Sequence, residues 1–321
     1  MIRAVCLNPV IDKMYFVDDF TAGKLFRDVQ TFEFVGGKGI NIAKALSKFE
    51  ATQCCYAILA GARGKKIEQT LKSLKIDCKF IEIDGETRTT TNIIDKKNST
   101  ETELLESGSL VSEEKERQVL ELLRNDILEN DIVICAGKGG TGMSKDIYKR
   151  IAKICESKKA NCVLDASSFW LLNAFDAKYL MIKPNVREIK EFFNIDHKIS
   201  ERELIEYARK FLDKGAENII ISRGGDGCIF INSDKILKVK IPKVDVASTI
   251  GSGDSSVAGF CFGVEKKLSI ENCLKYSMAF GISNAINNET GCVFPEDVNS
   301  FLDKIEISET KFEELSEEKN I

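Results

Sequence analysis

The chain has 321 residues, 43% of them hydrophobic and 30% charged, with a formal net charge of -4. A chain of that size buries a large core without help from metal or disulfides. Its mixed, slightly acidic charge gives no reason to expect nucleic acid or an anionic membrane as a partner. A single histidine leaves almost no material for a Ser-His-Asp or Cys-His nucleophile system, or for a Cys/His zinc site.

The opening MIRAVCLNPVIDK enters an apolar strand over Ile2–Leu7 without a signal-peptide layout. No later stretch is long and apolar enough to span a bilayer, so the expected compartment is the cytoplasm. A glycine cluster precedes a helix over Ile40–Phe49. Then come a strand over Gln53–Ala60, a helix over Lys65–Leu74 and a strand over Cys78–Ile83. The alternation continues through Lys115–Leu128, Asp131–Ala136, Ser144–Ser157, Cys162–Asp165 and Tyr179–Ile182. Arg187–Phe193, Glu201–Lys214 and Asn218–Ser222 carry it further. Strands alternating with helices predict an α/β fold with a mostly parallel central sheet.

Met14–Phe34 and Thr87–Leu105 break the rhythm, with β-branched runs such as TTTNIID and no crossover helix. They read as antiparallel strands of a small separate sheet, drawn from about 12–34 and 87–108, that forms a lid. One α/β unit over 1–310 is expected, with a charged tail at 311–321; the chain beyond Ile305 reads as frayed. Eleven cysteines sit in apolar runs such as VICAG and NCVLD without a CxxC pair, as buried thiols do. His197, in the polar stretch NIDHKIS, reads as a surface loop residue.

Three motifs carry chemistry. Thr249-Ile250-Gly251-Ser252-Gly253-Asp254-Ser255 precedes the apolar run VAGFCFGV. Successive amides of such a turn at a helix N-terminus converge on an anion. Asp254 is repulsive to phosphate there, so it reads either as the acceptor of a proton from an attacking hydroxyl or as a first-turn residue favoured by the helix dipole. Gly36-Gly37-Lys38-Gly39-Ile40-Asn41 is a second glycine turn before a helix, offering donors on Lys38 and Asn41. Asn8-Pro9-Val10-Ile11-Asp12 follows the first strand, where open α/β sheets place ligand contacts.

With these in order, the chain resembles the ribokinase/PfkB superfamily. LNPVID, GGKGINIA, IKPNVREI, SRGGDG and STIGSGDSSVAGF match its landmarks from residue 6 to about residue 260. LNPVID with GETR and TELLESG resembles the branch of 1-phosphofructokinases and tagatose-6-phosphate kinases, and FGISNAINNETGCV is closer to the latter. The resemblance implies a ribokinase-like three-layer fold with a β-sheet lid, and phosphorylation of a phosphorylated ketohexose with ATP and Mg²⁺. It implies Asp254 as base, with Gly251, Ser252 and Gly253 around the transferring phosphoryl group. Asp12, Gly36, Gly37 and Asn41 would hold sugar hydroxyls, and Lys24, Lys38 and Arg88 the sugar's phosphate. Asn185 and Glu188 would organise Mg²⁺ through water, and Lys183, Asn185, Ser222, Gly224 and Gly227 would border the nucleotide. A homodimer through the lid is the implied assembly, hiding the lid's edge.

Departures fall near the sugar. Ala136-Gly137-Lys138 stands where SGS is usual, adding Lys138 as a candidate phosphate contact. Asp165-Ala166-Ser167-Ser168 replaces DTSG or DSSG, and TTTN after Arg88 makes Asn92 an irregular match. Two other readings compete. Gly137–Gly142 satisfies GxGxxG after a strand, as a NAD-binding dehydrogenase requires, with Asp165 as ribose-binding acid. A kinase-like sensor without turnover would lack the base or the turn glycines, which are present.

Overall fold

The computed structural model describes residues 1–166 and 168–312. Fourteen strands lie among them. The first seven are β1 (Ile2–Cys6), β2 (Val10–Val17), β3 (Gln30–Gly36), β4 (Gln53–Ala60), β5 (Cys78–Ile83), β6 (Arg88–Asp95) and β7 (Thr100–Leu105). They are followed by β8 (Ile132–Ala136), β9 (Asn161–Asp165), β10 (Met181–Ile182), β11 (Ile219–Ser222), β12 (Cys228–Ile231), β13 (Ile236–Lys240) and β14 (Glu306–Thr310).

The main sheet runs β14-β13-β12-β11-β10-β9-β8-β1-β4-β5. It is parallel from β5 to β11 and antiparallel from β11 to β14. β1 shows why this makes three layers. All five of its residues are buried; Ile2, Ala4 and Cys6 face one apolar core, and Val5 faces the other. A strand apolar on both faces must be covered on both. The helices Lys38–Leu46, Ser252–Glu265 and Ile270–Ala285 cover the first face, and Glu113–Asp126 and Ile147–Lys158 the second. No helix among the described residues is long and apolar enough to cross a membrane.

The small sheet runs β3-β2-β6-β7. The sequence predicted antiparallel strands there, and the two hairpins β2–β3 and β6–β7 are antiparallel. The seam between them is parallel, pairing Val10 with Arg88 through Val17 with Asp95. Each central strand follows the carboxyl end of a parallel main-sheet strand, β2 after β1 and β6 after β5, and they run side by side in one direction. A second correction concerns the C-terminal segment. Glu306–Thr310 is not frayed but pairs with β13, and Ile307 packs on the first core. Residues 313–321 of the expected tail lie outside the described residues, as does Ser167.

Candidate active site

Two helix N-termini and three strand ends converge between the main sheet and the lid. Gly251 precedes the helix Ser252–Glu265 with φ 78°, a left-handed conformation that favours glycine. A side chain at this position would also collide with the Thr290 methyl. Asp254 follows in the first turn and is 6% exposed. The second helix, Lys38–Leu46, presents Asn41, whose Nδ2 donates to Asp254 Oδ2 at 2.8 Å. Asn41 Oδ1 is buried and has no protein partner.

Charge is concentrated here. Lys38 Nζ lies 3.1 Å from Asp165 Oδ2, and Lys183 Nζ lies 3.3 Å from Asp165 Oδ1. Burial pushes the Asp254 carboxyl up to about 6, helped by the Asp165 charge and opposed by Lys38, Asn41 and Lys183. Burial works the same way on Asp165, but Lys183 and Lys38 hold it below the ordinary carboxylate value. Lys38 is raised despite burial, by Asp165, Asp254 and Glu188. Asp254 is thus held closer to neutral pH than an ordinary carboxyl, as a proton-exchanging group requires.

A cavity of about 730 Å³ opens beside this cluster. Its floor includes Gly37, Lys38 and Asn41, and the lid contributes Asp12, Arg88, Thr90 and Asn92. Asp12 lies on β2 against Gly36, where a side chain would overlap its carboxylate. Burial raises Asp12, with Arg88 opposing. Arg88 is steadied by Asn8, with Nε 3.0 Å from Asn8 Oδ1. Lys138 lines the cavity from the turn after β8.

Of the sequence-predicted residues, Asp12, Gly37, Lys38, Asn41, Arg88 and Lys138 line this cavity together. Lys24 sits on the exposed loop between β2 and β3, 3.8 Å from Asp19, and does not line the cavity. Lys183, Asn185, Ser222, Gly224 and Gly227 form a second group at the ends of β10 and β11, where Asn185 bridges to Ser222. Asn185 and Glu188 are joined in a capping box: Asn185 Oδ1 accepts from Glu188 N at 2.9 Å, and Glu188 Oε2 accepts from Asn185 N at 3.0 Å. That leaves one Glu188 oxygen for another partner.

Sequence reasoning missed three features. Asn284, 1% exposed, donates to Ile250 O at 2.9 Å and Ser252 Oγ at 3.1 Å and accepts from Gly291 N at 2.7 Å, locking the turn. The signal was a lone amide in the apolar helix GISNAI. Trp170 and Lys145 also line the cavity, with no motif to announce them. His197 is exposed beside Glu203, away from the site, and all eleven cysteines are free thiols. The Gly137–Gly142 turn faces the cavity instead of opening a helix directly, and the next helix begins at Ile147. Asp165, the acid that a ribose would need, is already held by two lysines.

Residues 5–290 match the model of the pfkB family carbohydrate kinases. A 1-phosphofructokinase from Bacillus subtilis is 33% identical over 291 residues, covering 91% of this chain and 94% of the relative. A tagatose-6-phosphate kinase from Staphylococcus epidermidis is 31% identical over 315 residues, covering 96% and 100%. Among solved structures, phosphofructokinase-2 from Escherichia coli in complex with substrates and products superposes with a TM-score of 0.87 at 20% identity, covering 94% of this chain and 98% of that one.

Proposed function

This chain belongs to the pfkB family of carbohydrate kinases, and on that premise we propose that it transfers the terminal phosphoryl group of ATP to a ketohexose monophosphate, tagatose 6-phosphate or fructose 1-phosphate, giving the bisphosphate. The observation that carries this reading is Asp254. It is a buried carboxylate raised to about 6, bonded by Asn41 of the cavity floor and set directly after the glycine turn.

In this reading the substrate hydroxyl lies against Asp254, and its oxygen forms a bond to the γ-phosphorus. The bond from that phosphorus to the bridging oxygen breaks, ADP leaves, and the hydroxyl proton passes to Asp254. The Gly251–Gly253 amides and the Lys183 ammonium face the charge that moves. Asp12 and Asn41 orient hydroxyls, while Arg88, with Lys138 at the rim, meets the phosphate already on the sugar. Closing the lid over the cavity excludes water, which competes for the phosphoryl group.

The donor set suits a Mg²⁺ ion that enters with the nucleotide. Among the described residues no group of three or more acidic, histidine or cysteine side chains is placed to hold a metal, and Glu188 has one oxygen beyond its helix cap. One carboxylate oxygen fits a water of such an ion better than a dedicated cage. Glu188 and Asn185 would hold waters of such an ion, which would supply positive charge against the phosphates. A second copy against the lid is the assembly this reading favours, because the lid face beyond Asp12 turns aromatic, with Phe16 and Phe32 edge to face at 5.7 Å and Phe32 43% exposed.

An ADP-release assay across tagatose 6-phosphate, fructose 1-phosphate, fructose 6-phosphate, fructose, ribose and adenosine tests the assignment. One of the first two is expected to lead, and the unphosphorylated compounds to be essentially inert. A tenfold preference for ribose in kcat/KM would overturn the substrate class while leaving the family intact.

A further inference from the structure

Asp165 has been described only as the partner of two lysines, and its placement assigns it more. It ends β9 and is 1% exposed. Its two oxygens are divided: Oδ2 takes Lys38 and Oδ1 takes Lys183. Its own backbone is fixed, because its carbonyl accepts from Gly137 N at 3.0 Å and lies 3.5 Å from Lys38 Nζ. The two ammoniums point to different places. Lys38 lines the sugar cavity, whereas Lys183 Nζ lies 3.3 Å from where a β-carbon on Gly253 would sit, over the anion turn. We propose that Asp165 is a positioning residue that holds these two lysines apart, one toward the sugar and one toward the nucleotide, and keeps both from closing onto Asp254.

The physical reason is the flexibility of lysine. An ammonium on a four-carbon stem goes to the nearest uncompensated carboxylate. Asp254 feels Lys38 and Asn41 from the helix Lys38–Leu46, Asp165 from β9, and Lys183 from the end of β10. Remove the Asp165 charge and Asp254 becomes the acceptor within reach of both cations. An ion-paired Asp254 is a weaker base, and lysines drawn to it are withdrawn from the sugar and the phosphates. The carboxylate thus does two things at once: it aims the cations, and by like charge it keeps the base basic. A purely structural ion pair would do neither.

The inference rests on the kinase reading for its consequences in turnover, but not for the geometry, so two measurements are paired. In Asp165→Asn, kcat should fall about 10- to 100-fold through misplaced cations. The acid limb of the pH profile of kcat/KM should move down by about one pH unit or more. The titration of Asp254 in unliganded protein, followed by carboxyl ¹³C NMR and assigned by its loss in Asp254→Asn, should move down with it. Lys38→Met should move both the other way, which keeps the test available if Asp165→Asn does not fold. An Asp254 titration that stays in place in either variant overturns the inference, whatever kcat does. If the wild-type protein phosphorylates no sugar phosphate, the kinase reading fails and the NMR titration alone decides the role of Asp165.

Discussion

Replacing Asp254 with Asn should damage catalysis and strengthen the fold together. Asn keeps the shape of the side chain, and its amide can pair with Asn41, whose Nδ2 now donates to Asp254 and whose Oδ1 lacks a partner. It cannot take a proton, so kcat should fall by about 10²–10⁴. The stability gain follows from the raised carboxyl. Burial shifts Asp254 from its ordinary 3.8 to about 6, so the folded state resists ionisation. Below the unfolded value the group is protonated in both states and costs nothing. As pH rises through the window from 3.8 to 6, stability is lost, reaching roughly 3 kcal/mol above it. A neutral amide at this position avoids that cost. Urea unfolding followed by circular dichroism should show the variant more stable than wild type at pH 7.5, with about half of the gain remaining at pH 5. A variant no more stable than wild type at pH 7.5, or one that retains over half of wild-type turnover, would refute this role for Asp254.

Two further outcomes follow from the cavity and the cap. Arg88→Ala removes a charge-assisted contact worth about 1.5–3 kcal/mol, so KM for the sugar phosphate should rise about 10- to 150-fold while KM for ATP stays put; steady-state kinetics with each substrate varied decides. Activity should vanish with EDTA and return with Mg²⁺, and Glu188→Gln, which preserves the helix cap, should raise the Mg²⁺ concentration needed for half-maximal rate with no change in melting temperature.

The glycine motifs were legible because each is local: a short run of residues specifies a turn, a helix start and a group of amides. The alternation of strand and helix was legible for the same reason, since burial on both faces leaves a continuous apolar run. The parallel seam of the lid was not, because pairing β2 with β6 is a contact between remote segments that neither segment encodes. Lys24 was assigned to the phosphate by motif position, yet its loop places it in solvent beside Asp19. Asp165 stood out only as the first residue of the altered DASS run and as the ribose-binding acid of the dehydrogenase reading. Its importance depends on the order of β8, β9 and β10, which brings Lys38 and Lys183 to it from distant parts of the chain.

Trp170 is the only tryptophan in the chain. It stands at the wall of the cavity of about 730 Å³, edge-on to Phe169 at 5.5 Å and packed over Gly139. Intrinsic indole emission from this protein therefore reports on a single place. Filling the cavity or drawing down the lid changes the polarity around that one ring, while events elsewhere in the molecule contribute no competing indole signal. Occupancy of the cavity can be read optically from the unlabelled protein, in a stopped-flow mixer, with no added dye or coupling enzyme, and so can any closure of the lid that accompanies it.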